Sequence, residues 1–134
     1  MSATTESLVR PARPSDAAAL ARDLFAPGAD AWLAALVAEF AGEAVGYAVL
    51  FRAYRVEQAE TVAVVEHFYV APEARGRGVG AALLRTCRAL GRAWGCGALG
   101  VAVRGDNAAA RRFYERQGMA GRPRGGIAYR EVLR

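Results

Sequence analysis

Residues 61–84 constrain the fold more than any other stretch, because they read as a buried strand, a tight glycine turn and then a helix. Residues 61–70 are rich in β-branched and aromatic side chains, the composition of a pleated, buried strand. Beyond the turn, Val79, Leu83, Leu84, Cys87, Leu90 and Trp94 share one helical face, while Arg85, Arg88 and Arg92 take the other. Between them Gly76, Gly78 and Gly80 let the chain bend sharply and present consecutive N–H groups at a helix start. Unpaired donors and the positive end of the helix dipole suit a phosphate-bearing ligand, and Arg75 and Arg77 add fixed positive charge.

Two familiar phosphate sites are excluded by single residues. A P-loop needs Gly-Lys-Ser/Thr, and this chain contains no lysine. A dinucleotide fingerprint needs G-x-G-x-x-G and an acid about 20 residues on. Here Gly80 comes one position early, and no Asp or Glu stands between Ala74 and Gly105.

Arg75, Gly78 and Gly80 do resemble the acyl-CoA loop of the Gcn5-related N-acetyltransferase (GNAT) superfamily, Gln/Arg-x-x-Gly-x-Gly/Ala. Downstream, Val101-Ala102-Val103-Arg104 leads into Asn107, Ala110 and Tyr114 and then Gly118. This is similar to the second signature of the same superfamily, a strand followed by Asn-x-x-Ala-x-x-x-Tyr on a helix closed by glycine. The two signatures occur in the family's order, separated by one amphipathic helix and one short strand. The resemblance is clear over residues 62–119 and compatible over residues 8–51.

Composition and charge agree with one soluble domain. The 134 residues suffice for a single core, and no run reaches the apolar length of a membrane span. The N-terminus lacks a basic-then-apolar signal pattern. Cys87 and Cys96 have no metal spacing and read as reduced thiols of a cytoplasmic protein, with Cys87 packing in the core. Residues 1–66 carry a net charge of −4 and residues 67–134 one of +9. A basic C-terminal half suits a polyanionic cofactor; an acidic N-terminal half suits a cationic amine, or is simply a solvated face. The arginines are scattered without an aromatic stacking series, which argues against a nucleic-acid partner.

Local signals give the order of elements. Residues 8–10 form a strand that stops at Pro11, and Ser15 or Asp16 caps a helix carrying Leu20, Leu24 and Phe25. A helical remnant over 30–33 precedes strands at 36–40 and 44–51, joined by a hairpin at 41–43. A polar connection over 52–60 leads to the central strand at 61–70. After the long helix comes a strand at 98–104, a helix from Asn107, a loop at 121–126 and a closing strand at 127–133. The expected architecture is a single α/β domain over residues 1–134. It is a GNAT-like mixed, mostly antiparallel sheet with a splayed central parallel strand pair and helices on both faces.

The resemblance implies acetyl-CoA as acyl donor, no metal, and no covalent enzyme intermediate. The backbone of Phe68, Tyr69 and Val70 would pair with the pantetheine arm. The amides of Arg75, Gly76, Arg77, Gly78, Val79, Gly80 and Ala81 would hold the pyrophosphate. Asn107 would cap its helix or, with Ala110, contact the cofactor. Tyr114 matches the tyrosine that protonates the departing thiolate; its alternative is an ordinary packed tyrosine beside Phe113. Glu66, in a stretch similar to the Glu-Asp/His-x-Tyr-Val of polyamine-type acetyltransferases, would serve the amine. The alternatives for Glu66 are a bulge that leaves it in solvent, or an arginine partner. Period-2 alternation puts His67 on the opposite face, so the two would not act together; His67 reads as structural, its alternative being the base in place of Glu66.

The expected reaction is transfer of an acetyl group to a small primary amine such as a polyamine or amino acid. A protein or peptide acceptor and a non-catalytic acyl-CoA-binding module are the alternatives. Homodimers are common among similar proteins, though no segment here specifies one.

Overall fold

The computed structural model describes residues 8–11, 33–123 and 127–133. Seven strands form one sheet in the order β1-β2-β3-β4-β5-β7-β6. They are β1 (Leu8–Pro11), β2 (Leu33–Phe40), β3 (Glu43–Arg55), β4 (Glu60–Val70), β5 (Ala98–Val103), β6 (Ala120–Pro123) and β7 (Ile127–Val132). Two helices, α1 (Val79–Ala93) and α2 (Ala108–Arg116), follow β4 and β5. Every strand pair is antiparallel except β4–β5.

Alternation along the strands decides which residues meet the helices. Leu36, Ala38, Ala48, Leu50, Ala63, Val65, Leu99 and Val101 join one core with Val79, Leu83, Leu84 and Cys87 of α1. Arg88 of α1 reaches Glu131 of β7 with Nε at 2.9 Å and the Gln117 carbonyl with Nη2 at 2.6 Å, tying α1, β7 and the end of α2 together. Tyr129 of β7 donates to Glu115 of α2 at 3.0 Å. Both described helices therefore lie on the same side of the sheet. The helices expected over 15–33 fall outside the described residues, apart from Leu33, which opens β2 rather than closing a helical remnant.

Three boundaries differ from the sequence reading, each for a physical reason. The β2–β3 connection is a two-residue turn at Ala41 (φ 54°) and Gly42 (φ 80°), the doubly positive geometry that matches strand twist. The expected polar connection over 52–60 is mostly strand. β2 pairs with β3 only as far as Phe51, and β5 pairs with β4 only from Val62, so the ribbon beyond them is wet on both faces and carries polar residues. The expected loop at 121–126 overlaps β6, an edge strand, which is where a sheet tolerates a glycine such as Gly121 and a residue without an N–H such as Pro123. A Cβ at Gly121 would come within 2.7 Å of the Tyr129 ring, so the glycine there admits a close aromatic neighbour.

Cys87 is fully buried, and loss of hydration raises its thiol from the ordinary 9.0 to about 12. Burial also raises Cys96, and likewise Tyr114. An unfolded chain ionises at Cys87 from about pH 9 while the native thiol keeps its proton, so between 9 and 12 the unfolded state binds fewer protons and stability falls as pH rises. The Cys87 share is roughly 1 kcal/mol per pH unit. Thermal melts between pH 8 and 11 should show Tm declining above 9, with a shallower decline in Cys87→Ala despite its lower stability at neutral pH.

Candidate active site

The site grows from the place where one ladder ends. β4 and β5 pair from Val62↔Ala98 to Val65↔Val101 and no further. β4 continues from Glu66 to Val70, paired only with β3, while β5 continues through Ala102 and Val103 paired only with β7. The divergence starts at a β-bulge: Leu50 opposes Val65 and Val49 opposes His67, leaving Glu66 as the extra residue. A bulge bends its strand and sharpens the twist, which turns β4 away from β5.

The bulge also corrects the assignment of faces. Under strict alternation Val65 and His67 would share a face; instead Val65 is buried opposite Leu50 and His67 is exposed opposite Val49. The alternation that separated Glu66 from His67 thus does not hold across this point. Both side chains are exposed, in line with a bulge that leaves Glu66 in solvent.

At the end of β4, Ala71 donates to the Val45 carbonyl at 2.7 Å and a short 3-10 turn over Pro72–Ala74 leads into the glycine loop. Gly76 (φ 77°) and Gly78 (φ 81°) adopt left-handed conformations that a side chain would resist. No side chain caps α1. The Arg75 N–H is used by the Pro72 carbonyl, and the next well-formed bond is from Ala82 to Gly78 at 3.0 Å. The six N–H groups from Gly76 to Ala81 between them make no well-formed hydrogen bond within the described residues. Of the amides expected to hold a pyrophosphate, that of Arg75 is therefore already engaged within the chain.

Beside this loop runs a cleft of about 340 Å³. Phe68, Val70, Arg75, Gly76, Gly78, Gly80 and Ala81, all among the residues expected to hold the cofactor, line it. Phe113, Arg116 and Gln117 of the α2 end complete it. The sequence reading missed these three, although Phe113 and Gln117 recur at helical spacing from Ala110 and so share its face. Arg75 Nε donates to the Val70 carbonyl at 3.1 Å.

The remaining expected residues are not among those that line the cleft. The Tyr69 side chain, 44 % exposed, pairs with Tyr47 at 5.7 Å between ring centroids, and Val79 is in the core. Any share these two take in binding falls to their main chain. Asn107 Oδ1 accepts from the Ala110 N–H at 3.1 Å and caps α2, and Ala110 packs against the core. Arg77 lies over the Phe40 ring, 5.3 Å from its centroid.

Tyr114, 4 % exposed, is held by three rings: Phe113 at 5.1 Å, Tyr129 at 5.6 Å and the cleft-lining Phe68 at 5.9 Å. Burial, helped by the nearby Cys87, raises its pKa above that of an ordinary phenol. Its hydroxyl makes no hydrogen bond within the described residues. A buried, protonated phenol thus stands behind the Phe68 wall of the cleft. The described residues contain no group of His, Cys, Asp and Glu placed to hold a metal, and no helix long and apolar enough to cross a membrane.

The sequence matches the acetyltransferase (GNAT) family over residues 3–119. No curated protein sequence matches it. Solved structures with the same fold include Ard1 from Thermoplasma volcanium, with 23 % identity, TM-score 0.75, and 96 % of this chain and 98 % of that one covered. Another is the ribosomal-protein-S18-alanine N-acetyltransferase from Escherichia coli, with 18 % identity, TM-score 0.73, and 96 % and 94 % covered. A third, from Bacillus anthracis and provisionally assigned as a streptothricin acetyltransferase, was solved with acetyl coenzyme A; it has 13 % identity, TM-score 0.75, and 96 % and 97 % covered. At these identities the likeness is one of fold.

Gly80 offers a test of the cleft. A Cβ there would come within 3.1 Å of the Phe113 ring and 3.8 Å of Val70, both of which line the cleft, so the ring must give by a few tenths of an ångström. Gly80→Ala should weaken binding of acetyl-CoA about tenfold by calorimetry, with the thermal midpoint changed by no more than a few degrees.

Proposed function

The chain belongs to the GNAT acetyltransferase family, enzymes that draw their acetyl group from acetyl-CoA, and from that premise we propose that it acetylates a small primary amine by direct attack on the thioester. The observation that carries the reading is the run of six unengaged N–H groups from Gly76 to Ala81 at the foot of the gap between β4 and β5. A diphosphate satisfies such donors, at the positive end of α1, without any lysine. Above it, strand edges at 66–70 lack a neighbour on the β5 side. A buried peptide group left unpaired costs roughly 1–3 kcal/mol, and the amides of a pantetheine arm relieve that cost.

The chemistry is assigned to two side chains. The amine nitrogen, once neutral, attacks the thioester carbonyl carbon and a tetrahedral oxyanion forms. Its collapse breaks the C–S bond and gives the amide. Tyr114 delivers a proton to the departing thiolate; burial suits it to this, since a neutral phenol can donate and a phenolate cannot. Glu66, exposed at the bulge where the strands part, takes the proton shed by the nitrogen, directly or through water. An exposed carboxylate beside the thioester favours an acceptor that arrives as a cation, which supports a polyamine or amino acid.

Calorimetry should show acetyl-CoA binding, and thiol release should appear with at least one member of a panel of polyamines, amino acids and N-terminal peptides. Binding without turnover by any acceptor would favour a non-catalytic module, and absence of binding would overturn the reading. Tyr114→Phe should lower kcat about a hundredfold while leaving the Kd for acetyl-CoA within about twofold. The sign of its pH dependence follows from the raised pKa: wild-type rate should not decline with rising pH until beyond about 10, where an ordinary phenol would already be losing its proton. A decline near pH 8 would exclude Tyr114 as the acid.

A further inference from the structure

Between β4 and α1 the backbone is anchored as far as Arg75, through the bonds of Ala71, Ala74 and Arg75, and has few anchors from there to the helix. Its two left-handed glycines, Gly76 and Gly78, face open space, and its N–H groups from 76 to 81 are uncommitted. Such a segment must be ordered at the moment a ligand binds unless something already holds it, and that ordering is subtracted from affinity. Two side chains reach out of it to fixed parts of the fold. Arg75 closes back on the Val70 carbonyl. Arg77, flanked by both glycines, lies over Phe40. Phe40 is the last residue of β2, paired with Glu43 across the tight turn and packed against the core, so its ring is a rigid platform from a different part of the sequence.

We propose that Phe40 is a positioning residue for the acetyl-CoA reaction, holding the phosphate-binding loop in its donor-presenting shape through the cation–π contact with Arg77. The inference rests on the acetyl-CoA reading above. Phe40 itself touches no ligand in this scheme; it lowers the ordering that binding requires. A partly exposed contact of this kind changes an equilibrium about threefold.

The test is a double-mutant cycle read by calorimetry with acetyl-CoA. Phe40→Leu keeps an apolar side chain but removes the ring face, and should raise the Kd about threefold. In an Arg77→Gln background the same change should add nothing, because the partner is already gone. Phe40→Trp, which retains and enlarges the aromatic face, should bind at least as tightly as wild type with Arg77 present, and gives the cycle a second corner if the leucine variant does not fold. A Phe40→Leu protein that binds like wild type overturns the inference, as does an equal loss with and without Arg77, which would mark a general packing defect. These failures are separable from failure of the functional reading, in which the wild-type protein itself takes up no acetyl-CoA.

Discussion

The backbone ladder between β4 and β5 runs for four residue pairs and then stops, and the rest of the molecule is arranged around that stop. A parallel pair inside a sheet normally keeps its hydrogen bonds, because unpaired peptide groups away from water are expensive. Here one extra residue at Glu66 bends β4 after Val65, and the strands part toward the end where the helices begin. The flanking pairs keep the two strands separated without unravelling the sheet: β3 follows β4 to Val70, and β7 follows β5 to Val103. The opening is thus a local interruption bounded by intact ladders. Its position places it beside the first turn of α1 and the last turns of α2.

Two kinds of rigidity meet at this opening. Below it, the loop from Arg75 to Gly78 owes its shape to backbone conformations that glycine permits, with side chains acting as braces to Val70 and Phe40. Beside it, Phe68, Phe113, Tyr114 and Tyr129 lock one another by edge and tilted contacts between 5.1 and 5.9 Å. The cluster fixes the Tyr114 ring while its hydroxyl stays uncommitted, and the same burial that fixes it keeps it protonated. Arg88 contributes at a distance: by joining α1, β7 and the α2 end it holds the two walls of the cleft in register.

Much of this was legible in the sequence because it depends on residue types with few substitutes. The left-handed turn needed glycines at 76 and 78, the cap of α2 needed a short polar side chain, and Asn107 supplies it. The strand–turn–helix order followed from hydrophobic periodicity and was recovered for β4, α1, β5 and α2. The bulge was less legible. Val65, Glu66 and His67 look the same to a period of two whether or not one is extra, since register is decided by the partner strand and β3 is distant in sequence. The strand at Ala120–Pro123 was hidden by a glycine and a proline, which forbid an interior strand but not an edge packed over Tyr129. Phe113, Arg116 and Gln117 carried only a helical stripe, which reads as core until α2 is seen to end against the cleft.

The division of labour between main chain and side chain explains why the donor half of the site is the more readable. Recognition by N–H groups asks of the sequence only that the backbone can take the required path, so it is written in glycines and in the helix that follows. The proposed chemistry falls to Tyr114 and Glu66, and each is defined by surroundings assembled from several elements: a ring cluster drawn from β4, α2 and β7 for the one, a bulge registered by β3 for the other. A chain can therefore keep its donor-binding frame while the residues facing the acceptor change. The exposure of Glu66 and His67 likewise follows from where the bulge falls, so that one extra residue, and not the composition of β4, decides what the strand presents where it parts from β5.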